Sequence, residues 1–305
     1  MFRTALRSVA VAAAIIGLAP LGAAAGVPGG PNGPGPLVRF APGSFPESMA
    51  LSGGSELVTL GFAGELVRVT GSQVSSVATV DLEGTSLLTG VVVRGGYAYV
   101  ARAPFAGGPS YLYRVPVTAS DVAPQPWVTL SDDGGFPNGL AARGGRIYVA
   151  DSAAGVIRTV STDTGTVATW CADDLLKPGH YGFGVNGITF GPDGALYGVV
   201  SDFGRVVRIT TTATGCTVTA VVEQQQLASA DGVSFGPDGG LYVTVNRSNR
   251  LWRVDLTTRR LTDLAGRSDG LSYPTQVLFP DADTMLVTNG ALSGGVPDLL
   301  AFGLH

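Results

Sequence analysis

Six oxygen-bearing side chains recur along this chain at steps of 42 to 49 residues: Glu47, Thr89, Asn138, Asn186, Asp231 and Thr275. None is aliphatic or cationic. Brought to one point, two carboxylates and two amide carbonyls would suit a hard cation such as Ca2+, which takes oxygen ligands in loose geometry and would be balanced by the two negative charges. Without a cation, two buried carboxylates at that distance repel, and one takes a proton. A cation held there can polarise a carbonyl or phosphoryl oxygen. Asp231 is then a candidate catalytic residue, as general base toward water or as nucleophile. His180 is a second candidate. It lies six residues before Asn186 in the loop Lys177-Pro-Gly-His-Tyr-Gly-Phe-Gly, where it could shuttle a proton or touch substrate; the plainer reading is a solvated loop histidine. Tyr181 and Phe183 beside it could wall the site or pack the loop.

The elements that must position these residues are visible as an internal repeat. Asn186-Gly-Ile-Thr-Phe-Gly-Pro-Asp-Gly-Ala-Leu-Tyr and Asp231-Gly-Val-Ser-Phe-Gly-Pro-Asp-Gly-Gly-Leu-Tyr are its clearest copies. Each reads as a strand, a Pro-Asp-Gly turn and a second strand, followed by two further β-rich stretches. Weaker copies begin at Glu47, Thr89, Asn138 and Thr275. Four strands in about 45 residues is the size of a propeller blade. The pattern predicts an all-β, six-bladed β-propeller over 37–305, with the innermost strand of each blade presenting its polar residue to the central channel. The sixth unit runs out after three strands, so the spare strand Leu37-Val-Arg-Phe-Ala is expected to pair with Leu299–Leu304 and close the ring. Asn-Gly and Asp-Gly are also ordinary turn dipeptides, and on that reading Asn138, Asn186 and Asp231 merely shape the backbone. Glu47 precedes Ser48, so turn chemistry does not account for it.

The order Glu, a skipped blade, Asn, Asn, Asp resembles the calcium tetrad of the senescence-marker-protein/gluconolactonase family of six-bladed propellers. Phe45-Pro-Glu-Ser-Met-Ala, Phe136-Pro-Asn-Gly-Leu, Gly184-Val-Asn-Gly-Ile and Ala230-Asp-Gly-Val carry the likeness. The resemblance implies a divalent ion on Glu47, Asn138, Asn186 and Asp231, and hydrolysis of lactones, esters or phosphoesters. Many members have Gly and then Trp after the first Glu, and many have Asn-Asp-Gly in the third blade. This chain departs at both places, so the tetrad is better carried than any sugar-lactone specificity. The rival expectation is a non-catalytic propeller presenting its loops to a protein or glycan.

Residues 1–25 read as a secretory signal: Arg3 and Arg7, an apolar run from Val9 to Leu21, then Ala23-Ala24-Ala25. Residues 26–36 read as a Pro/Gly leader. The expected product is a secreted or periplasmic monomer with no stable membrane insertion, acting on a small-molecule substrate. A net charge of −4 and 14% charged residues offer no basic stripe for nucleic acid. P-loop and His-Glu-x-x-His motifs are absent. Asp151 and Asp202 read as turn-capping side chains, and Asp193 and Asp238 as structural residues of Gly-Pro-Asp-Gly turns on the opposite face. Asn246-Arg-Ser matches a glycosylation sequon. Cys171 ends an outer strand and Cys216 begins one, which places them near opposite faces of adjacent blades and predicts two unpaired thiols.

Overall fold

The structure, a computed structural model, describes residues 34–213, 215–292 and 294–304. The signal segment and most of the leader lie outside the described residues. Six antiparallel four-stranded sheets follow one another, and the inner strands of successive sheets are neighbours around a central axis. These inner strands are Pro46–Ser52, Ser86–Arg94, Pro137–Arg143, Val185–Phe190, Ala230–Phe235 and Pro274–Leu278, in blades one to six. The expected six-bladed propeller is thus the observed fold. Blade six is completed by the N-terminal strand Gly35–Arg39, antiparallel to Asp298–Gly303, with Pro36 opposite Leu300 and Arg39 opposite Asp298. The strand takes in the last two residues of the expected leader, and Gly35 is buried.

Alternating apolar residues of neighbouring sheets interdigitate between the blades. Leu57, Leu66, Leu88 and Val100 pack blade one against blade two, and Val206, Leu227, Val233 and Val243 pack blade four against blade five. On the face away from the candidate site, Asp193 and Asp238 hold their Pro-Asp-Gly turns as expected: each accepts a backbone N–H two residues on and an arginine on the third strand, Arg208 or Arg253.

The expectation of free thiols is wrong. Cys171 and Cys216 form a disulfide across the outer strands of blades three and four, with Cα atoms 5.5 Å apart. The expectation carried the up and down of the inner strand out to the blade edge. Each strand is rotated against its neighbour by about 20–25°, so three steps turn the outer strand by roughly 60–75°. The lower end of one outer strand therefore swings back against the upper end of the previous one, and Val167–Ala172 and Gly215–Glu223 touch.

Candidate functional site

Every inner strand breaks register with its partner at the same place. The irregularities fall between Pro46 and Ser48, Leu88 and Val91, Pro137 and Leu140, Val185 and Ile188, Ala230 and Val233, and Pro274 and Gln276. The six ring residues are therefore the bulged residues, and a bulge re-aims a side chain out of the pleat. The glycines that follow four of them are not turn glycines, for none has a positive φ. A Cβ on Gly139 would come within 2.6 Å of the Asn186 carbonyl oxygen, and one on Gly90, Gly187 or Gly232 would strike the carbonyl of Asn138, Asp231 or Thr275. Asn-Gly and Asp-Gly occur here because neighbouring inner strands approach too closely for a side chain, not because the chain turns.

The inner ring is sewn together by six hydroxyls, one from each blade. Each donates to an inner-strand carbonyl of the next: Thr59 to Thr89, Thr89 to Pro137, Ser152 to Val185, Ser201 to Ala230, Thr244 to Thr275 and Thr275 to Pro46, at 2.6–3.0 Å. Thr89 and Thr275 are thus engaged in joining blades. Glu47, Asn138, Asn186 and Asp231 all line one cavity of about 140 Å³ on the axis. Each is buried.

Proton bookkeeping orients the two amides. Ser152 Oγ and Ser201 Oγ give their single protons to carbonyls, so toward Asn138 and Asn186 they can only accept. The asparagines therefore turn Nδ2 to these serines, at 3.4 and 3.0 Å, leaving each Oδ1 to meet whatever occupies the cavity. Asn246 Nδ2 similarly donates to Asp231 Oδ2 at 3.2 Å. Glu47 Oε2 and Asn246 Oδ1 are buried without a hydrogen-bond partner. Burial, and after it the Asp231 charge, push the Glu47 carboxyl well above the usual range. Burial pushes Asp231 up to about 7 against the opposing pull of hydrogen bonds from Asn246 and Asn186. A buried carboxylate with an orphaned oxygen beside a second carboxylate is costly unless a proton or cation compensates it. Among the described residues no three His, Cys, Asp or Glu side chains group as a metal site. A cation here would instead rest on two carboxylates and two amide oxygens, a set that suits a hard divalent ion.

The other sequence candidates fall into place around this floor. His180 is exposed, lies outside the cavity lining and meets Tyr181 edge-on at 5.1 Å, while Tyr181 and Phe183 do line the cavity. Asp202 and Asp151 are structural, but they reach across loops rather than cap their own turns alone. Asp202 Oδ2 accepts the N–H groups of Gly179, Tyr181, Gly182 and Phe183, which shapes the loop before Asn186. Asp151 accepts from Phe136 and Ala154 and pairs with Arg158, which fixes the loop before Asn138. Sequence reasoning missed Asn246, Arg247 and Tyr273, all of which line the cavity. Asn246 follows Asp231 by 15 residues, the offset that also separates Asn186 from Ser201. That constant spacing was the available signal.

No family model matches the sequence, and no curated protein matches it. Solved structures do. A luciferin-regenerating enzyme superposes with a TM-score of 0.65 at 13% identity, covering 87% of this chain and 92% of its own. A provisionally assigned gluconolactonase gives 0.66 at 12% identity, covering 90% and 93%. A virginiamycin B lyase from Staphylococcus aureus gives 0.61 at 14%, covering 88% and 97%. At such identities the likeness is one of fold, and that fold carries more than one chemistry. The chain is a six-bladed β-propeller of the gluconolactonase-like fold.

Proposed function

We propose that this protein is an exported, calcium-dependent hydrolase of lactones or esters, with the cation held by Glu47, Asn138, Asn186 and Asp231. The observation that carries the reading is the partnerless, buried Oε2 of Glu47 beside Asp231 at the floor of a cavity that opens on the axis. A scaffold needs no such pair, and each hydroxyl that joins the blades would serve it as well.

A bound calcium ion would supply Lewis-acid polarisation of the substrate's carbonyl oxygen. The proton work falls to Asp231. Its Oδ2 is held by Asn246, so in this reading Oδ1 takes a proton from water as that water attacks the acyl carbon. As the carbon–oxygen bond to the alcohol breaks, Asp231 returns the proton to the departing oxygen. Tyr273, whose phenol is raised by burial and then by the charges of Asp231 and Glu47, stays protonated and can donate a hydrogen bond within the cavity. His180 is assigned a rim contact through Tyr181, and His180→Ala is expected to keep the ion. Export is supported by the apolar N-terminal segment and by the disulfide, which persists in oxidising compartments.

The test is calcium titration of the mature protein by calorimetry, with Glu47→Gln alongside, followed by assay on lactones and aryl esters. One-site binding that Glu47→Gln loses, with calcium-dependent turnover, is expected. A wild type that binds no divalent ion removes the reading and leaves a binding propeller.

A further inference from the structure

A nearly continuous collar of aromatic rings stands above the polar floor. From Tyr273 the ring centroids follow at 6.1 Å to Phe45, 4.7 Å to Phe62 and 6.3 Å to Phe105. The arc continues at 5.5 Å to Phe136 and 5.6 Å to Phe183. Tyr181 belongs to the same loop as Phe183, and the Arg247 guanidinium lies over its ring at 5.1 Å from the centroid. The positive charge of Arg247 also acts on the Tyr273 phenol, opposing the rise that burial imposes. The arginine therefore sits between the two ends of the arc, with a cation–π contact on one side and its charge acting on the phenol on the other.

Two polar side chains of the lining are already engaged. Ser201 gives its proton to Ala230, and Asp202 Oδ2 accepts four loop N–H groups. The buried lining atoms left without a partner, Glu47 Oε2 and Asn246 Oδ1, lie on the floor beside Asp231. The cavity, about 140 Å³, is close to the roughly 150 Å³ that encloses a benzene ring. Floor and collar thus divide the ligand: the reacting carbonyl below, an apolar ring above.

We infer that this site takes a neutral lactone or ester carrying an aromatic or similarly apolar ring, and discriminates against polyhydroxylated sugar lactones. A sugar hydroxyl moved from water to the collar would meet aromatic carbon and lose its hydrogen bonds. An aromatic ring there gains apolar contact and edge-to-face partners. The inference rests on the hydrolase reading for its reactive group, but the collar's preference can be measured without turnover.

Two experiments keep the readings apart. The first is ligand binding to Glu47→Gln by saturation-transfer NMR, with coumarin and methyl glucoside as probes. Coumarin is expected to bind, methyl glucoside is not, and Phe105→Ser should weaken coumarin about tenfold while Phe105→Leu largely restores it. The second is turnover by the wild type with calcium. Dihydrocoumarin should exceed glucono-1,5-lactone in kcat/KM by about 100-fold or more, the scale on which apolar pockets discriminate. Equal or better binding of the sugar, no coumarin binding, or a sugar lactone turned over at least as well overturns the inference and leaves the hydrolase reading standing. Selective coumarin binding with no turnover of any lactone or ester supports the collar's preference and removes the hydrolase reading.

Discussion

Blades two and six differ from the other four at one backbone position, although all six share the same bulge there. In blades two and six the ring residue is a threonine, and its hydroxyl joins its blade to the next through Pro137 or Pro46. In blades one, three, four and five that task is delegated to the second strand or the residue just beyond it, as Thr59, Ser152, Ser201 or Thr244. The ring side chain is thereby released to face the cavity. One repeat position can serve as a seam or as cavity lining, the proposed ligand role, and what decides is whether a hydroxyl elsewhere in the blade already closes the seam.

The sharpest way to break that division is to exchange its consequences. Glu47→Gln should weaken calcium by at least about 100-fold while leaving the seams intact. It should also raise the thermal midpoint of the calcium-free protein near pH 8, because a buried charge is removed. Thr89→Val should do the reverse. It leaves the buried Pro137 carbonyl without its partner and costs about 1–3 kcal/mol of stability, with calcium affinity unchanged in calorimetry. Loss of the ion in Thr89→Val would erase the distinction between seam and ligand.

The pH dependence sharpens the same point. Asp231 is raised to about 7, so the folded calcium-free protein holds protons that the unfolded chain releases. That contribution to stability is present at acid pH and lost as pH rises through about 7. If Asp231 is a ligand as proposed, calcium displaces the proton, so its affinity should fall by about tenfold per pH unit below 7, and its stabilising effect should be larger at pH 8 than at pH 5. A flat calcium affinity between pH 5 and 8 would remove Asp231 from the ligand set.

A smaller effect separates orientation from ligation. Ser201→Ala removes the acceptor that turns Asn186 and the donor that closes onto Ala230, so calcium should weaken by about tenfold, and Ser201→Thr should restore most of it. The smallest effect is expected at the closure of blade six. Asp298 is raised to about 6 by burial, so its stabilising contribution is lost as pH rises through 6. Asp298→Asn should gain about 1–2 kcal/mol at pH 8, gain nothing at pH 4 and leave calcium binding untouched, as read by thermal melts and calorimetry.

The architecture was legible because each blade repeats its punctuation. Gly-Pro-Asp-Gly turns and Asn-Gly or Asp-Gly starts mark the frame, and an unpaired strand at one end answers a missing strand at the other. The floor was legible for the same reason, since one repeat position becomes one ring. What lay beyond the repeat was not. The disulfide depends on accumulated strand twist, which no spacing records. The collar is built by loops that differ from blade to blade, so Phe62, Phe105 and Tyr273 carried no shared signature. Asn246 was read only as a sequon because its partner is Asp231, 15 residues away.

The ring is fastened by its own two ends, and that sets an order of events. Gly35–Arg39 is made long before Asp298–Gly303, so the earliest strand waits for the last before it has a sheet to join. Closure consequently waits until the last blade has been made. A copy trimmed of that first strand would leave Asp298–Gly303 as an open sheet edge, and the matching segment of a second copy has the register to fill it. Truncation at the N-terminus would then turn a self-contained ring into one that exchanges strands with its neighbours.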